Sequence, residues 1–166
     1  MREARGQLLF IIVACFFIVA ATACSSIDCP MNNLVLSSYK LKGNVTKLPG
    51  RLTVATEPQP YQDTIVINSL ENTDSFSLPM SYTHKEDIIF FYLTLSDGTE
   101  MVDTITLSKE DRPHFESVDC NPVIFHTLKG IRFTRNTLDS AVINNPNVTY
   151  NERKANIYLY FRDDLE

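Results

Sequence analysis

From residue 35 onwards, hydrophobic and polar residues alternate with a period of two, as in half-buried β-strands. Val35, Tyr39 and Leu41 alternate with serine and lysine, and Leu52 and Val54 alternate with threonine. Further runs that favour strands occupy residues 63–68, 76–80, 88–95, 101–107, 123–128, 131–135, 138–143 and 157–161. The spacing predicts roughly eight to ten short strands and no amphipathic helix.

The strongest strand pattern lies at residues 88–95, which are apolar on both alternating faces. Such a strand is expected at the centre of its sheet. Asp97-Gly98 then predicts a hairpin with residues 101–107, and Lys129-Gly130 predicts a second hairpin. Pro79 makes residues 76–80 either an edge strand or a broken one, because proline cannot donate to a neighbouring strand.

Many short strands separated by turns indicate an all-β fold, and we expect one antiparallel β-sandwich, immunoglobulin-like or related. The last strand would direct Ile157, Leu159 and Phe161 into the core and Tyr158 and Tyr160 to the other face. The chain has 166 residues, which fits one such domain. It has no tryptophan, so the Cys…Trp…Cys signature of immunoglobulin domains is absent.

The N-terminus has a different pattern. Arg2 and Arg5 precede an apolar run over residues 8–21, the length of a signal-peptide core and shorter than the ~20 residues of a spanning helix. The run ends in Ala21-Thr-Ala-Cys24. Small residues before a cysteine resemble the lipobox of bacterial lipoproteins, which implies a type II signal peptide, cleavage before Cys24 and lipid on that cysteine. Ordinary cleavage after residue 23 and an uncleaved anchor are the alternatives.

This interpretation divides the chain into a signal peptide (1–23), a lipidated tether (24–30) and a β-sandwich domain (31–166). Cleavage removes two arginines and one glutamate, so the net charge changes from −5 to −6. An acidic chain is a poor partner for nucleic acid, whose phosphates require a basic surface. We expect attachment to a membrane through the lipid instead.

The four cysteines separate into different roles. Cys15 leaves with the signal peptide and Cys24 carries lipid, so Cys29 and Cys120 remain. In the oxidising compartment of an exported protein two thiols tend to pair, which predicts a Cys29–Cys120 disulfide. Two unpaired buried cysteines are the alternative.

A metal site is a rival interpretation of the region around Cys120. Histidine, acid and cysteine side chains cluster there in sequence, at His114, Glu116, Asp119, Cys120 and His126. None of the ligand spacings typical of zinc sites occurs, so we expect no metal and no cofactor. No nucleophile motif is present either, and we predict no catalytic residues.

The segment Asp-(Ser/Thr) followed by aliphatic residues recurs three times, at Asp63, Asp103 and Asp139. One interpretation is that three strands each begin after a polar turn residue. The other is that the segment resembles the O-glycosylation acceptor of exported Bacteroidetes proteins. The acceptors would then be Thr64, Thr104 and Ser140.

Four segments carry a wider resemblance: Cys24-Ser-Ser-Ile-Asp-Cys29, Tyr82-Thr-His-Lys-Glu-Asp-Ile88, Asp119-Cys120 and Val142-Ile-Asn-Asn-Pro-Asn147. Together they resemble a family of small Bacteroidetes lipoproteins known only as a domain of unknown function. The resemblance implies a second cysteine five residues after the lipidated one, with a later partner. It implies no activity.

These features indicate a non-enzymatic lipoprotein of the cell envelope. We expect a protein-interaction module of an outer-membrane assembly, and a glycan-binding module with tyrosine or phenylalanine platforms is the alternative. Tyrosines on one sheet face would favour a glycan, whereas an aliphatic patch or an unpaired edge strand would favour a protein. The signal for surface export in such bacteria resembles a run of acidic residues just after the lipidated cysteine. Here only one acid, Asp28, closely follows Cys24, which favours the periplasmic face of the outer membrane over the cell surface.

Overall fold

The computed structural model describes residue 29 and residues 34–56, 64–150 and 154–165. These residues form ten β-strands. None of them belongs to a helix that is long and apolar enough to cross a membrane. The strands are β1 (Leu36–Leu41), β2 (Arg51–Thr56), β3 (Thr64–Leu70), β4 (Ser75–Pro79), β5 (Glu86–Thr94), β6 (Glu100–His114), β7 (Val123–Phe133), β8 (Leu138–Ile143), β9 (Asn147–Val148) and β10 (Ile157–Phe161).

The strands form two packed sheets, in the orders β4-β1-β10-β8 and β3-β2-β5-β6-β7-β9. Three rings join the sheets at the centre of the core. Tyr39 of β1 stacks on Phe76 of β4 at 5.1 Å, and Phe91 of β5 meets both rings edge-on at 6.3 and 5.8 Å. The predicted β-sandwich is confirmed.

Several local predictions are also confirmed. Strand β5 lies between β2 and β6, and it joins β6 through the turn at Asp97-Gly98. Gly98 has a φ of +87°, a conformation that favours glycine. Strand β4, which ends at Pro79, lies at the edge of its sheet. In β10 the side chains of Ile157, Leu159 and Phe161 are buried, whereas both tyrosines are half-buried.

The predicted hairpin at Lys129-Gly130 is wrong, because β7 runs through this dipeptide. The pairing of β7 with β6 shifts register here, between Ser108 and Lys109. A Cβ atom on Gly130 would lie 2.8 Å from Ser108 Oγ. The glycine therefore permits a close approach of two strands at a β-bulge, and a bulge and a turn both favour glycine.

One strand pair departs from an antiparallel sandwich. Strands β1 and β10 are parallel, with Tyr39 opposite Ile157 and Leu41 opposite Leu159. The alternation of apolar and polar residues defines the two faces of a strand and is the same in either direction. The sequence pattern therefore carries no signal for this pair.

Strand β6 is about twice as long as predicted and crosses the whole sandwich. Its inward-facing side chains are Asp103, Ile105, Leu107 and Lys109, all of them buried. Two aliphatic residues at the middle of the core are thus flanked by a carboxylate at one end and an ammonium group at the other. Both charged groups are satisfied by hydrogen bonds, as buried polar groups require.

Asp103 holds the connection between the two sheets. Its Oδ1 accepts hydrogen bonds from the Thr134 hydroxyl (2.6 Å) and the Asn136 amide (2.8 Å). Its Oδ2 accepts from the Thr137 amide and hydroxyl (both 2.6 Å) and from the Leu138 amide (3.0 Å). Burial alone would raise the pKa of this carboxyl, but the hydrogen bonds outweigh burial and lower the pKa. The carboxylate therefore fixes the chain where β7 leads into β8.

We predict that Asp103→Ala lowers the free energy of unfolding by at least about 3 kcal/mol, because it leaves several buried donors unpaired. Asp139→Ala removes an exposed aspartate of the adjoining strand and should change stability by no more than about 0.5 kcal/mol. Urea unfolding of both variants measures the difference. Equal effects of the two substitutions would contradict this role of Asp103.

Candidate functional site

The predicted cysteine pair lies at the tip of the β6–β7 hairpin. Cys29 and Cys120 are at disulfide distance, with Cα atoms 5.4 Å apart. Cys120 lies in the segment 115–122 that joins the two strands. The hairpin tip is thereby tied to the start of the domain. The predicted signal peptide, Cys24 and most of the tether lie outside the described residues.

The three predicted O-glycosylation acceptors occupy different environments. Thr64 is exposed at the first position of β3, whereas Thr104 and Ser140 are half-buried within paired strands. The interpretation of the preceding aspartates as turn residues is wrong for Asp103, which lies inside β6, and for Asp139, which lies inside β8. Asp63 lies outside the described residues.

The side chains considered as metal ligands point to different places. His114 Nε2 lies 3.5 Å from Glu116 Oε1, and the His114 ring stacks on Phe125 at 4.4 Å. His126 is buried further along the hairpin, and Cys120 faces Cys29. Within the described part of the chain, no group of three or more histidine, cysteine or acidic side chains is placed to hold a metal ion.

Aromatic and aliphatic side chains are grouped around the hairpin tip. Phe115 and Val118 are 63% and 97% exposed. In the adjoining part of the hairpin, the Phe125 ring of β7 stacks on His114 and meets the Tyr150 ring at 5.0 Å in a T-shaped arrangement. The tip itself presents the two exposed apolar side chains of Phe115 and Val118. We call this surface the tip patch.

A groove of about 460 Å³ lies at the opposite end of the sandwich. Tyr160 forms one wall, and the residues that follow β1 and β10 form the others. Gly43 has a φ of +91°, and a Cβ atom there would lie 3.1 Å from the Tyr160 ring, so glycine allows the chain to pass the ring closely. The lining residues are Lys42, Gly43, Asn44, Asp139, Tyr160, Phe161, Arg162, Asp163 and Asp164.

The polar groups of this groove, which we call the Tyr160 groove, are held in place by one another. The Arg162 guanidinium donates to both Asp164 oxygens at 2.9 and 2.6 Å and lowers the pKa of that carboxyl. The Asn44 amide donates to Asp163 at 2.8 Å. Planar donors and acceptors thus line the same groove as the Tyr160 ring.

A second polar cluster lies inside the sandwich, between the core and the hairpin tip. Lys109 Nζ donates to the carbonyl oxygens of Ser81 and His84, the latter at 2.6 Å, and to Asp111 Oδ1 at 3.1 Å. Asp87 Oδ1 lies 3.9 Å from the same nitrogen. The lysine therefore clamps the β4–β5 connection onto β6 and has all three of its protons engaged.

Asp111 joins this lysine cluster to His126 of β7. The imidazole Nδ1 of His126 lies 2.7 Å from Asp111 Oδ1. Burial lowers the pKa of the ring, although the hydrogen bond to Asp111 opposes the shift. Burial raises the pKa of Asp111, but its bonds to His126 and Lys109 outweigh burial, so the pKa lies below its usual value. The Asp111 carboxyl thus links Lys109 of its own strand to the His126 ring of β7.

The pKa of Asp87 is shifted in the opposite direction from that of Asp111. Burial raises the pKa of this carboxyl to about 6, despite the neighbouring Lys109 and the hydrogen bond from the Ser81 amide. The nearby Asp111 carboxylate also raises it, and His84 lowers it. One buried ammonium group therefore faces two carboxyl groups whose pKa values are shifted in opposite directions.

The sequence pattern drew no attention to Lys109, Asp87 or Asp111, because a lone charge in a strand is usually solvated. One signal was available: Lys109 falls in register with Asp103, Ile105 and Leu107 on the inner face. The Tyr160 groove combines residues far apart in the chain. The sequence analysis named Asp139, Tyr160 and Phe161 among its lining residues, but for separate reasons and not as one site.

Comparison with known proteins gives one family. The model of DUF6452, a family of unknown function, matches residues 51–161. The matched region begins at the first residue of β2 and ends at the last residue of β10. Curated proteins and solved structures yield no match to this chain.

We predict that Asp87 makes the protein less stable as pH rises from about 4 to about 6.5. Its pKa is higher in the folded state than in the unfolded chain, so its contribution is fully present below the unfolded pKa and is lost as pH rises through the folded value. Asp87→Asn stays uncharged at every pH. The free energy of unfolding of the native chain, measured relative to this variant, should fall across that range. A constant or rising difference would show that burial does not hold Asp87 protonated.

Proposed function

Since the chain belongs to DUF6452, a family of unknown function, we propose its function from the residues themselves: it is a non-enzymatic binding module of the bacterial cell envelope, anchored by lipid at Cys24, in a Bacteroidetes lipoprotein family. The proposal has two parts, the anchor and the binding surface. Each rests on different residues and has its own test.

The anchor is supported by the lipobox-like segment together with the cysteine pair. The basic residues, the short apolar run and Ala21-Thr-Ala-Cys24 have the order of a lipoprotein signal. Cys29 and Cys120 at disulfide distance fit an oxidising compartment, since such bonds are rare in the cytosol. Asp28 is the single acid between Cys24 and Cys29, and the lack of an acidic run there favours the periplasmic leaflet of the outer membrane.

The binding surface is the Tyr160 groove, and the ligand class that fits it best is a glycan. The observation that carries this proposal is the placement of the Tyr160 ring among Asn44, Asp139, Arg162 and Asp163. An aromatic face packs on the C–H surface of a sugar ring, while amide, guanidinium and carboxylate groups bind its hydroxyls. The volume lies within the range of small-ligand sites.

The position of this groove agrees with a ligand outside the membrane. Phe161 lies opposite Leu138, whose amide binds Asp103, so the groove is at the Asp103 end of β6. The cysteine pair is at the other end, beyond His114. At about 3.3 Å per residue, Asp103 and His114 of this strand are roughly 36 Å apart. An anchor at the hairpin tip would direct the groove away from the bilayer.

A protein partner is the second candidate, and one specific feature favours it. Ala55 of β2 pairs with Ile65 of the edge strand β3 on one side and with Phe90 of β5 on the other. Ala55 is buried and Phe90 is half-buried. Ile65 is 59% exposed. Exposed apolar side chains on an edge strand fit a protein surface better than a sugar.

The proposal of a non-enzymatic role is supported by the state of the buried polar groups. Lys109 and His126 are the buried bases of the described chain, and both are engaged with carboxylates or carbonyl oxygens of the fold. An acid–base catalyst needs such a group to face a substrate. Here they stabilise the strands and loops around them.

The anchor predicts that labelled palmitate is incorporated into the native chain and not into Cys24→Ser, because the thiol of Cys24 is the acceptor. Cys15→Ser is the matched control, since that cysteine belongs to the segment removed by cleavage, and it should still be labelled. The readout is the label on the protein recovered from cell envelopes. Incorporation into Cys24→Ser would refute the anchor.

The groove predicts that the mature domain binds a subset of oligosaccharides on a printed array. Tyr160→Ala should weaken the affinity for those sugars about tenfold or more, as loss of a central aromatic contact does. Tyr160→Phe keeps the ring and should retain most of the affinity. Tyr82→Ala removes an exposed tyrosine outside the groove and should have no effect.

Urea unfolding of each variant separates loss of binding from loss of folding. If a folded Tyr160→Ala protein binds the same sugars as the native chain, or if the native chain binds none, the glycan proposal fails. Binding that depends on Ile65 and Phe90 would instead favour the protein partner.

A further inference from the structure

The tip patch is the most exposed apolar surface among the described residues. Val118 is 97% exposed and Phe115 63%, and both lie in the short segment 115–122 between β6 and β7. Single exposed apolar residues are common on proteins. This pair needs a second observation before it indicates a partner, and the cysteine pair supplies one.

Cys120 belongs to the same segment as the tip patch and lies at disulfide distance from Cys29. Cys29 is the fifth residue after Cys24 in the sequence. A fully extended chain spans at most about 3.6 Å per residue, so these five reach no more than about 18 Å. If Cys24 carries lipid, Cys29 is held within that distance of the lipidated residue, and the segment 115–122, joined to Cys29 at Cys120, stays close to the bilayer surface.

We propose that the tip patch inserts into the lipid surface to which Cys24 is anchored, so that the β6–β7 hairpin is a second, apolar membrane contact. This inference rests on the lipid anchor of the proposed function. The tip patch then contacts the membrane, and the sandwich stands upright on the bilayer.

The chemistry of the hairpin tip fits an apolar contact. Glu116 and Asp119 accompany Phe115 and Val118 in the segment, and Arg112 precedes it. With these acids present, anionic headgroups would not attract the tip strongly. Phenylalanine and valine gain from leaving water for the boundary of the acyl chains, and a rigid hairpin places both there at little entropic cost.

The lipid at Cys24 strengthens the contact of the tip patch with the membrane. Two apolar side chains bind a bilayer weakly on their own, but a covalent tether turns their insertion into an intramolecular event at high effective concentration. The contact in turn limits rotation of the domain about its tether. The Tyr160 groove, at the other end of β6, would then face away from the membrane.

The chain contains no tryptophan, so one introduced tryptophan reports on its own surroundings. We would express the lipidated protein as Phe115→Trp and reconstitute it in vesicles of phosphatidylethanolamine and phosphatidylglycerol, with and without lipids brominated in the acyl chains. The matched control is Ile65→Trp, a site of similar exposure on β3. Emission wavelength and quenching by bromine are the two readouts.

We expect the emission of the Phe115→Trp protein to shift to shorter wavelength on reconstitution and to be quenched by brominated lipid, whereas the Ile65→Trp protein shows neither effect. A Phe115→Trp protein that carries lipid by intact mass and floats with the vesicles, but shows no quenching, overturns the tip contact and leaves the anchor intact. A shift without quenching also overturns it, because the patch is then covered by protein. A chain that carries no lipid and does not float refutes the anchor itself.

Discussion

The inner face of β6 is the constraint on which the rest of the structure depends. Its central residues, Ile105 and Leu107, form part of the core, but its ends are the buried charges Asp103 and Lys109. A buried charge is tolerated only when hydrogen bonds replace its hydration. Each end therefore organises the chain around it: Asp103 collects the amides and hydroxyls of residues 134–138, and Lys109 collects the carbonyls of the β4–β5 connection.

These two ends also determine where the candidate surfaces lie. The connection held by Asp103 leads into β8, which contributes Asp139 to the Tyr160 groove. Beyond Lys109 the strand continues, paired with β7, to a hairpin tip that carries Cys120, Phe115 and Val118. One strand thus separates the polar groove that we propose as a glycan site from the apolar tip that we propose as a membrane contact.

Much of the fold could be predicted from local sequence. Period-two alternation indicates the strands, Asp97-Gly98 indicates the β5–β6 hairpin, and Pro79 indicates an edge strand. Strand direction could not be predicted, because β1 and β10 have the same alternation whether parallel or antiparallel. Gly130 has the local signal of a turn, and a close approach to Ser108 across a bulge has the same signal.

The candidate sites were less accessible from sequence. The pairing of Cys29 with Cys120 could be predicted from the oxidising compartment of an exported protein and from the number of cysteines that remain after cleavage. Neither requires three-dimensional information. The Tyr160 groove brings residues 42–44 beside residues 139 and 160–164, a juxtaposition that depends on the unpredicted β1–β10 pairing. The lysine cluster depends on the registers of β5, β6 and β7 together. Sites built across strands require the topology first.

The central claim is that a covalent bond between Cys29 and Cys120 holds the hairpin tip to the anchored N-terminus. The most direct test is alkylation of the mature protein, taken from cell envelopes and denatured without reductant, followed by intact mass. The account predicts no alkylated cysteine before reduction and two after it. Two alkylated cysteines before reduction would contradict the bond, and with it the orientation of the domain.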